Sequence, residues 1–231
     1  LRIVILHLLL FGCSVSIGQI AFEKSYGNSQ EETGQGLAAL YDSSFVIVGT
    51  SSSFGDFSTD ALLMKVDSMG TVVWAKTRGG INVDNLQDVT VLHDSTLAAV
   101  GYTNSYGTGG YDVYLIRFED NGNVLGSWNL GGSDWDFGYS IIETADSNLL
   151  IAGETYSSGA GASDGFLLKL DMNADTVWFN TYGGTSFDKF VGINETASGE
   201  IIVAGETSSS GAGQLDAWAL RLNSTGGIIW E

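Results

Sequence analysis

The chain has 231 residues with 9 Lys and Arg against 27 Asp and Glu, a formal net charge of −18 at pH 7, and a surface so acidic repels phosphate backbones and anionic membranes, which argues against nucleic acid as a partner. A hydrophobic content of 44% and an aromatic share of 11% exclude a disordered chain in spite of 32 glycines. There is no proline, so the turns rest on Gly, Asn, Asp and Ser.

The first predicted element covers residues 1–18, LRIVILHLLLFGCSVSIG. A basic residue, an apolar run from Ile3 to Phe11 and small residues at Ser16 and Gly18 make a secretory leader, with cleavage expected between Gly18 and Gln19. The run is too short to span a membrane, and no transmembrane segment is expected. Leu1 stands where a start Met would be, so the beginning of the leader is expected to lie upstream. The protein is therefore expected to be secreted or held at the cell surface. Cys13, the single cysteine, lies in Leu-Phe-Gly-Cys, which resembles the lipobox of bacterial lipoproteins. Phe11 is larger than that motif takes, so simple cleavage is favoured and lipid anchoring through Cys13 is the alternative. A cleaved chain would hold no thiol and no disulfide.

Residues 19–231 are read as one repeat domain. Residues 20–26 align with Val72 to Arg78 and are predicted as an orphan fourth strand. Thereafter Gly49, Gly101, Gly153 and Gly205 recur every 52 residues, as do Asp60, Asp112, Asp164 and Asp216, Gly55, Gly107, Gly159 and Gly211, and Ser53, Ser105, Ser157 and Ser209. A period of that length decides the architecture before any local feature does.

One repeat reads as four strands. Tyr139 to Thr144 alternates and stops at Ala145-Asp146-Ser147-Asn148; Leu149 to Glu154 stops in a polar Gly/Ser stretch. Gly165 to Asp171 stops at Asp171-Met172-Asn173-Ala174, and Thr176 to Tyr182 is closed by Gly183-Gly184. Turn chemistry at every junction makes an antiparallel meander. The third strand is apolar on both sides: Leu62, Met64 and Val66, or Phe166, Leu168 and Leu170, or Trp218, Leu220 and Leu222 on one, and Leu63, Leu115 and Leu167 on the other. Such a sheet needs another sheet on each face. The fold class is thus all-β, a β-propeller of four-stranded antiparallel blades, present as a partial propeller or arc, with a solenoid or sandwich as the alternative. The chain stops at Glu231 inside a fourth strand, and more C-terminal chain is expected.

Gly-Gly, then Asp-x-x-x-x-Ile, Ile-x-x-Ala-Gly-Glu-Thr, Asp-x-x-Leu-Leu-Lys-Leu-Asp and Trp-x-x-Thr-Tyr-Gly-Gly together resemble the SBBP-type bacterial β-propeller repeat over nearly all of residues 20–231. That resemblance implies a secreted or surface scaffold for binding or display and no shared reaction. Asp67-Gly70-Trp74 more loosely resembles the tryptophan-docking motif of quinoprotein propellers, with departures at Ala174, at Asn223 and throughout the second repeat. The resemblance implies that Trp74, Trp178 and Trp230 pack blade against blade.

The repeated Asp60, Asp112, Asp164 and Asp216 read as acceptors for loop amides. A second acidic column runs Glu32, Asp84, Asp136 and Asp188. Lys65, Arg117, Lys169 and Arg221 read as members of repeated ion pairs, with Lys169 and Asp188 as one pairing to test. No cofactor is expected. Calcium is the one cation weighed, with Asp134 and Asp136 or Asp56 and Asp60 as the candidates, because Asp171-x-Asn173-x-Asp175 opens like a calcium loop and then fails at Thr176 and Tyr182. Gly161-Ala162-Ser163-Asp164-Gly165 has the letters of a nucleophile elbow in the wrong context and without a histidine to serve it. His93 reads as a surface residue.

Function falls to the loops between strands two and three: Thr50 to Thr59, Tyr102 to Tyr111, Glu154 to Ser163 and Glu206 to Leu215. Phe54, Phe57, Tyr102, Tyr106, Tyr111 and Tyr156, with Glu154 and Glu206, are the candidate ligand-binding residues, and plain polar connections are the bland alternative. The expected function is a non-catalytic binding or adhesion scaffold for an extracellular glycan, peptide or protein. A quinoprotein-like dehydrogenase or a carbohydrate-active propeller is the alternative.

Overall fold

The structure, a computed structural model, describes residues 23–53 and 58–231. The leader with Cys13, Ile20 to Phe22, and Phe54, Gly55, Asp56 and Phe57 lie outside the described residues.

Among the described residues sixteen strands form four sheets. Blade 1 holds β1 (Glu32–Ala39), β2 (Phe45–Ser51), β3 (Asp60–Val66) and β4 (Val72–Arg78), and blade 2 holds β5 (Asp84–Val91), β6 (Leu97–Thr103), β7 (Asp112–Phe118) and β8 (Val124–Leu130). Blade 3 holds β9 (Asp136–Glu143), β10 (Leu149–Thr155), β11 (Asp164–Leu170) and β12 (Thr176–Tyr182), and blade 4 holds β13 (Asp188–Glu195), β14 (Ile201–Thr207), β15 (Asp216–Leu222) and β16 (Ile228–Trp230). Each sheet is an antiparallel meander in chain order. First strands pack on first strands, β1 on β5, β5 on β9 and β9 on β13, so they line the inner side of the arc.

Every first strand carries a bulge, at Gly34/Gly36, Leu86/Asp88, Gly138/Ser140 and Phe190/Gly192. The bulge explains the first glycine column. A Cβ at Gly49, Gly101, Gly153 or Gly205 would overlap the carbonyl of Thr33, Asn85, Phe137 or Lys189 on the neighbouring first strand.

Three cores lie between the blades. Val46, Val48 and Leu63 of blade 1 meet Leu86, Leu97, Ile116 and Phe118 of blade 2. Val100, Val113 and Leu115 meet Ile141, Ile151, Phe166 and Leu170, and Leu150, Ala152 and Leu167 meet Phe190, Val203, Trp218 and Leu220. Alternate residues of β7 and of β11 thus enter two different cores, which is why these strands are buried or nearly so along their whole length; β3 is buried throughout as well, with Ala61 and Leu63 in the first core. In β15 the same columns alternate, with Trp218, Leu220 and Leu222 buried and Ala217 and Ala219 exposed. Among the described residues blade 4 is covered by blade 3 alone, and Leu37 of blade 1 is 63% exposed. The sheets form an open arc.

Glu23 to Tyr26 have no strand ladder. Tyr26 nevertheless holds the fourth-strand position: its hydroxyl donates to the Gly70 carbonyl as that of Tyr182 donates to Gly226.

Candidate functional site

The two ends of the blades have different chemistry. At the end carrying the first-to-second and third-to-fourth turns, the basic column forms ion pairs within each blade. Lys65 pairs with Asp42, Arg117 with Asp94, Lys169 with Asp146 and Arg221 with Glu200. The same cations reach the next blade: Lys65 also meets Asp120, and Arg117 donates to the Met172 carbonyl. Lys169 therefore does not pair with Asp188. That carboxylate sits at the other end of its blade, where Ser209 and Gly184 donate to it. Trp74 serves the same blade-to-blade contact, and Trp178 packs against the core between blades 3 and 4.

The Asp67, Asp171 and Asn223 turns are closed by their own side chains. Asp171 accepts from the amides of Asn173 and Asp175, which uses the atoms a calcium loop would need. His93 is tied down rather than free: its amide donates to Glu143, and its Nδ1 lies 2.9 Å from the same carboxylate.

The opposite rim carries the second-to-third loops and the Gly-Gly connections between blades. Both acidic columns converge there. A Cβ at Gly79, Gly131 or Gly183 would strike the carboxylates of Asp60 and Asp84, Asp112 and Asp136, or Asp164 and Asp188. The serine column bridges this seam. Ser105, Ser157 and Ser209 donate to Asp84, Asp136 and Asp188, and Ser53, Ser105, Ser157 and Ser209 accept from the amides of Gln30, Asn82, Asp134 and Ser186. Gly107, Gly159 and Gly211 have positive φ, which lets the loop fold over Asp112, Asp164 and Asp216. Burial, with Asp136 beside it, pushes the Asp112 carboxyl above the usual carboxylate range. Asp134 and Asp136 serve loop amides, and among the described residues no three acidic, histidine or cysteine side chains come together as a metal group would require.

Of the candidate ligand residues, Tyr102, Tyr111 and Tyr156 belong to one ring cluster. Tyr102 contacts Tyr111 and Phe137 edge-on at 5.3 and 5.1 Å, Trp135 joins Tyr156 at 5.8 Å, and Phe187 extends the row 6.5 Å beyond Tyr156. Tyr106 stands apart, its hydroxyl donating to Gly79. Glu154 is buried and accepts from Tyr139 and Ser163, which pushes the Tyr139 hydroxyl up after burial has done so first. The serine of the nucleophile-like pentapeptide is thus a buried donor. Glu206 pairs with Lys189. Sequence reading missed Trp135, Phe137 and Phe187, the first and last of them about half exposed. They sit at columns that vary between blades, on the inter-blade connection and first strand rather than in the second-to-third loops.

Residues 196–227 match the family described as a domain of unknown function (DUF5122) beta-propeller. The chain is a β-propeller arc. It is 25% identical over 137 residues to the regulatory protein FlaEY of Caulobacter vibrioides, across 52% of this chain and 14% of that relative. Its fold is like the Neurospora crassa Pan2 WD40 domain, with a TM-score of 0.51 at 11% identity, covering 85% of this chain and 64% of that one. A eukaryotic initiation factor structure aligns at a TM-score of 0.41 and 12% identity, covering 85% of this chain and 54% of that one. The chain spans under two thirds of each of these proteins. Among the described residues no helix is long and apolar enough to cross a membrane.

Proposed function

We propose that the chain is an exported, non-catalytic propeller scaffold of the SBBP type that binds an extracellular glycan or peptide across the aromatic rim. The observation that carries this reading is the ring row from Tyr102 through Phe137, Trp135 and Tyr156 to Phe187, which crosses two seams and keeps Trp135 at 48% and Phe187 at 53% exposure. Rigid rings with polar tips offer large contact area at low entropy cost. Their packing against each other holds them in place without a ligand. The charged groups of the opposite end are engaged in the ion pairs between turns and blades, which supports a structural role for that end.

A glycan array read with the wild type and with a Trp135→Ala/Phe187→Ala variant tests the proposal. Binding that falls at least tenfold in the variant, with the melting temperature kept, supports it; equal binding by both overturns the assignment to this rim. The enzymatic alternative is addressed by a screen for bound quinone, and a stoichiometric quinone would overturn the non-catalytic reading.

A further inference from the structure

The three seams use equivalent positions but are filled unequally. Between blades 3 and 4, Phe190 stacks on Trp218 at 4.7 Å and meets Tyr182 at 5.6 Å, and all three are buried. Between blades 1 and 2 the same positions hold Leu86, Tyr114 and Arg78. Between blades 2 and 3 they hold Gly138, Phe166 and Leu130. A side chain cannot be restored at Gly138, since a Cβ there would come within 2.6 Å of Val100 Cγ2 and 3.1 Å of both the Gly101 carbonyl and Val113 Cγ1. The same seam holds a cleft of ≈ 450 Å³, walled by Leu130, Phe166 and Phe179 with Asn129, Asp136 and Ser157 among its polar groups, within the size range of ligand sites.

Asp136 differs from its counterparts in a way that points into this cleft. Asp84 and Asp188 each accept a threonine hydroxyl on Oδ1, from Thr103 and Thr207, besides a serine hydroxyl and a glycine amide on Oδ2. Asp136 keeps Ser157 and Gly132 on Oδ2. Its Oδ1 accepts no hydrogen bond, although the residue is only 5% exposed. Among the described residues the buried side-chain atoms left without a partner are Arg117 Nε and Arg221 Nε, so Asp136 Oδ1 reaches solvent and is open to a donor from outside.

The charge also differs. At the first seam Arg78 lies with Asp60 and Asp84 around the Tyr114 hydroxyl, where burial first, then Asp84, raise the phenol to about 12 and Arg78 opposes them. At the second seam Leu130 takes the place of Arg78, and no Lys or Arg lines the cleft. The acidic pair Asp112 and Asp136 thus lacks the nearby cation of the first seam, and unlike the third seam, where Tyr182 holds that position, it has only an aliphatic side chain there.

From these three features we infer that the cleft between blades 2 and 3 binds the arginine side chain of a peptide. The guanidinium would donate to Asp136 Oδ1, and the planar head and its apolar stem would lie against Phe166 and Phe179, whose ring centroids are 5.7 Å apart. The cleft opens at the same rim, beside Trp135 and Tyr156, but none of the rings of the row lines it, and it does not depend on a glycan being bound to that row.

The probes are N-acetyl-arginine N-methylamide and its uncharged citrulline counterpart, with binding read by calorimetry and by the ring-proton shifts of Phe166 and Phe179. Saturable binding of the arginine probe, at least tenfold tighter than citrulline, is expected. Asp136→Asn should weaken it at least tenfold. Leu130→Arg, which gives the second seam the residue the first seam has at that position, should bring a cation to the cleft and abolish binding while the melting temperature holds or rises. If Asp136→Asn does not fold, the Leu130→Arg result stands alone. Citrulline binding as tight as arginine, arginine binding undiminished in Leu130→Arg, or shifts at these rings only with a methyl glycoside would each overturn the inference.

Discussion

Trp74 of β4 donates its indole N–H to the backbone carbonyl of Asp120, 2.9 Å away in the third-to-fourth turn of the next blade. A neutral hydrogen bond of this kind contributes about 1 kcal/mol net. Trp74→Phe keeps most of the ring and loses the donor, so the variant should lose about that much in denaturant unfolding. A loss near zero would assign the contact to packing alone.

The basic column makes a prediction about partners. Lys169 and Asp146 lie 2.7 Å apart, with Asp146 57% exposed and Lys169 nearly buried. Solvent screening at the acid limits the coupling to about 1 kcal/mol or less. A double-mutant cycle on Lys169 and Asp146 should give a measurable coupling energy, whereas one on Lys169 and Asp188 should give none.

The same end of the blades sets an acid limit. Although burial works against it, hydrogen bonds from Lys169, Thr144 and Asn148 hold the Asp146 carboxyl at about 2. The Ser44 hydroxyl and amide, then Lys65, hold Asp42 at about 2 as well. A carboxyl depressed on folding contributes stability above its unfolded value, near 3.9, and loses it as pH falls through the folded value. Melting temperature should fall between about pH 4 and pH 2, and less steeply in Asp146→Asn. Asp112 acts in the opposite sense: its raised carboxyl favours folding at low pH, and that contribution is lost as pH rises through its folded value.

Two strand glycines should respond differently. A Cβ at Gly153 would overlap the Phe137 carbonyl and come 2.6 Å from Phe166 Cε1, whereas a Cβ at Gly192 has open space around it. Gly153→Ala should cost about 3 kcal/mol or more through overpacking of backbone, and Gly192→Ala should be near neutral in the same unfolding assay.

The period made the blade legible because each strand's ends are marked by turn chemistry. The fourth strand lies at Thr176–Tyr182 as read, and the third starts at Asp164, one residue before the reading. The first strand was read from Tyr139 but begins at Asp136, since the bulge at Gly138/Ser140 interrupts the alternation that marks a strand. Which acid each Lys or Arg meets was not legible. Columns give register along a blade, and Asp146 and Asp188 are both near in sequence to Lys169, but only the meander shows that they stand at opposite ends. The ring row was half legible for a similar reason. Tyr102, Tyr111 and Tyr156 were found in the loops searched, while Trp135 and Phe187 reach the same rim from the connection between blades.

Because blades 1 and 4 each meet one core among the described residues while blades 2 and 3 each meet two, opening an outer blade such as blade 4 exposes less apolar surface than opening a central one. In a stack whose units hold only their neighbours, such an end frays as a unit. Amide exchange should therefore be graded along the molecule, fastest in β15 and β16 and slowest in β6, β7, β10 and β11. Ordering of the aromatic rim would fade in the same direction, from Tyr102 toward Phe187.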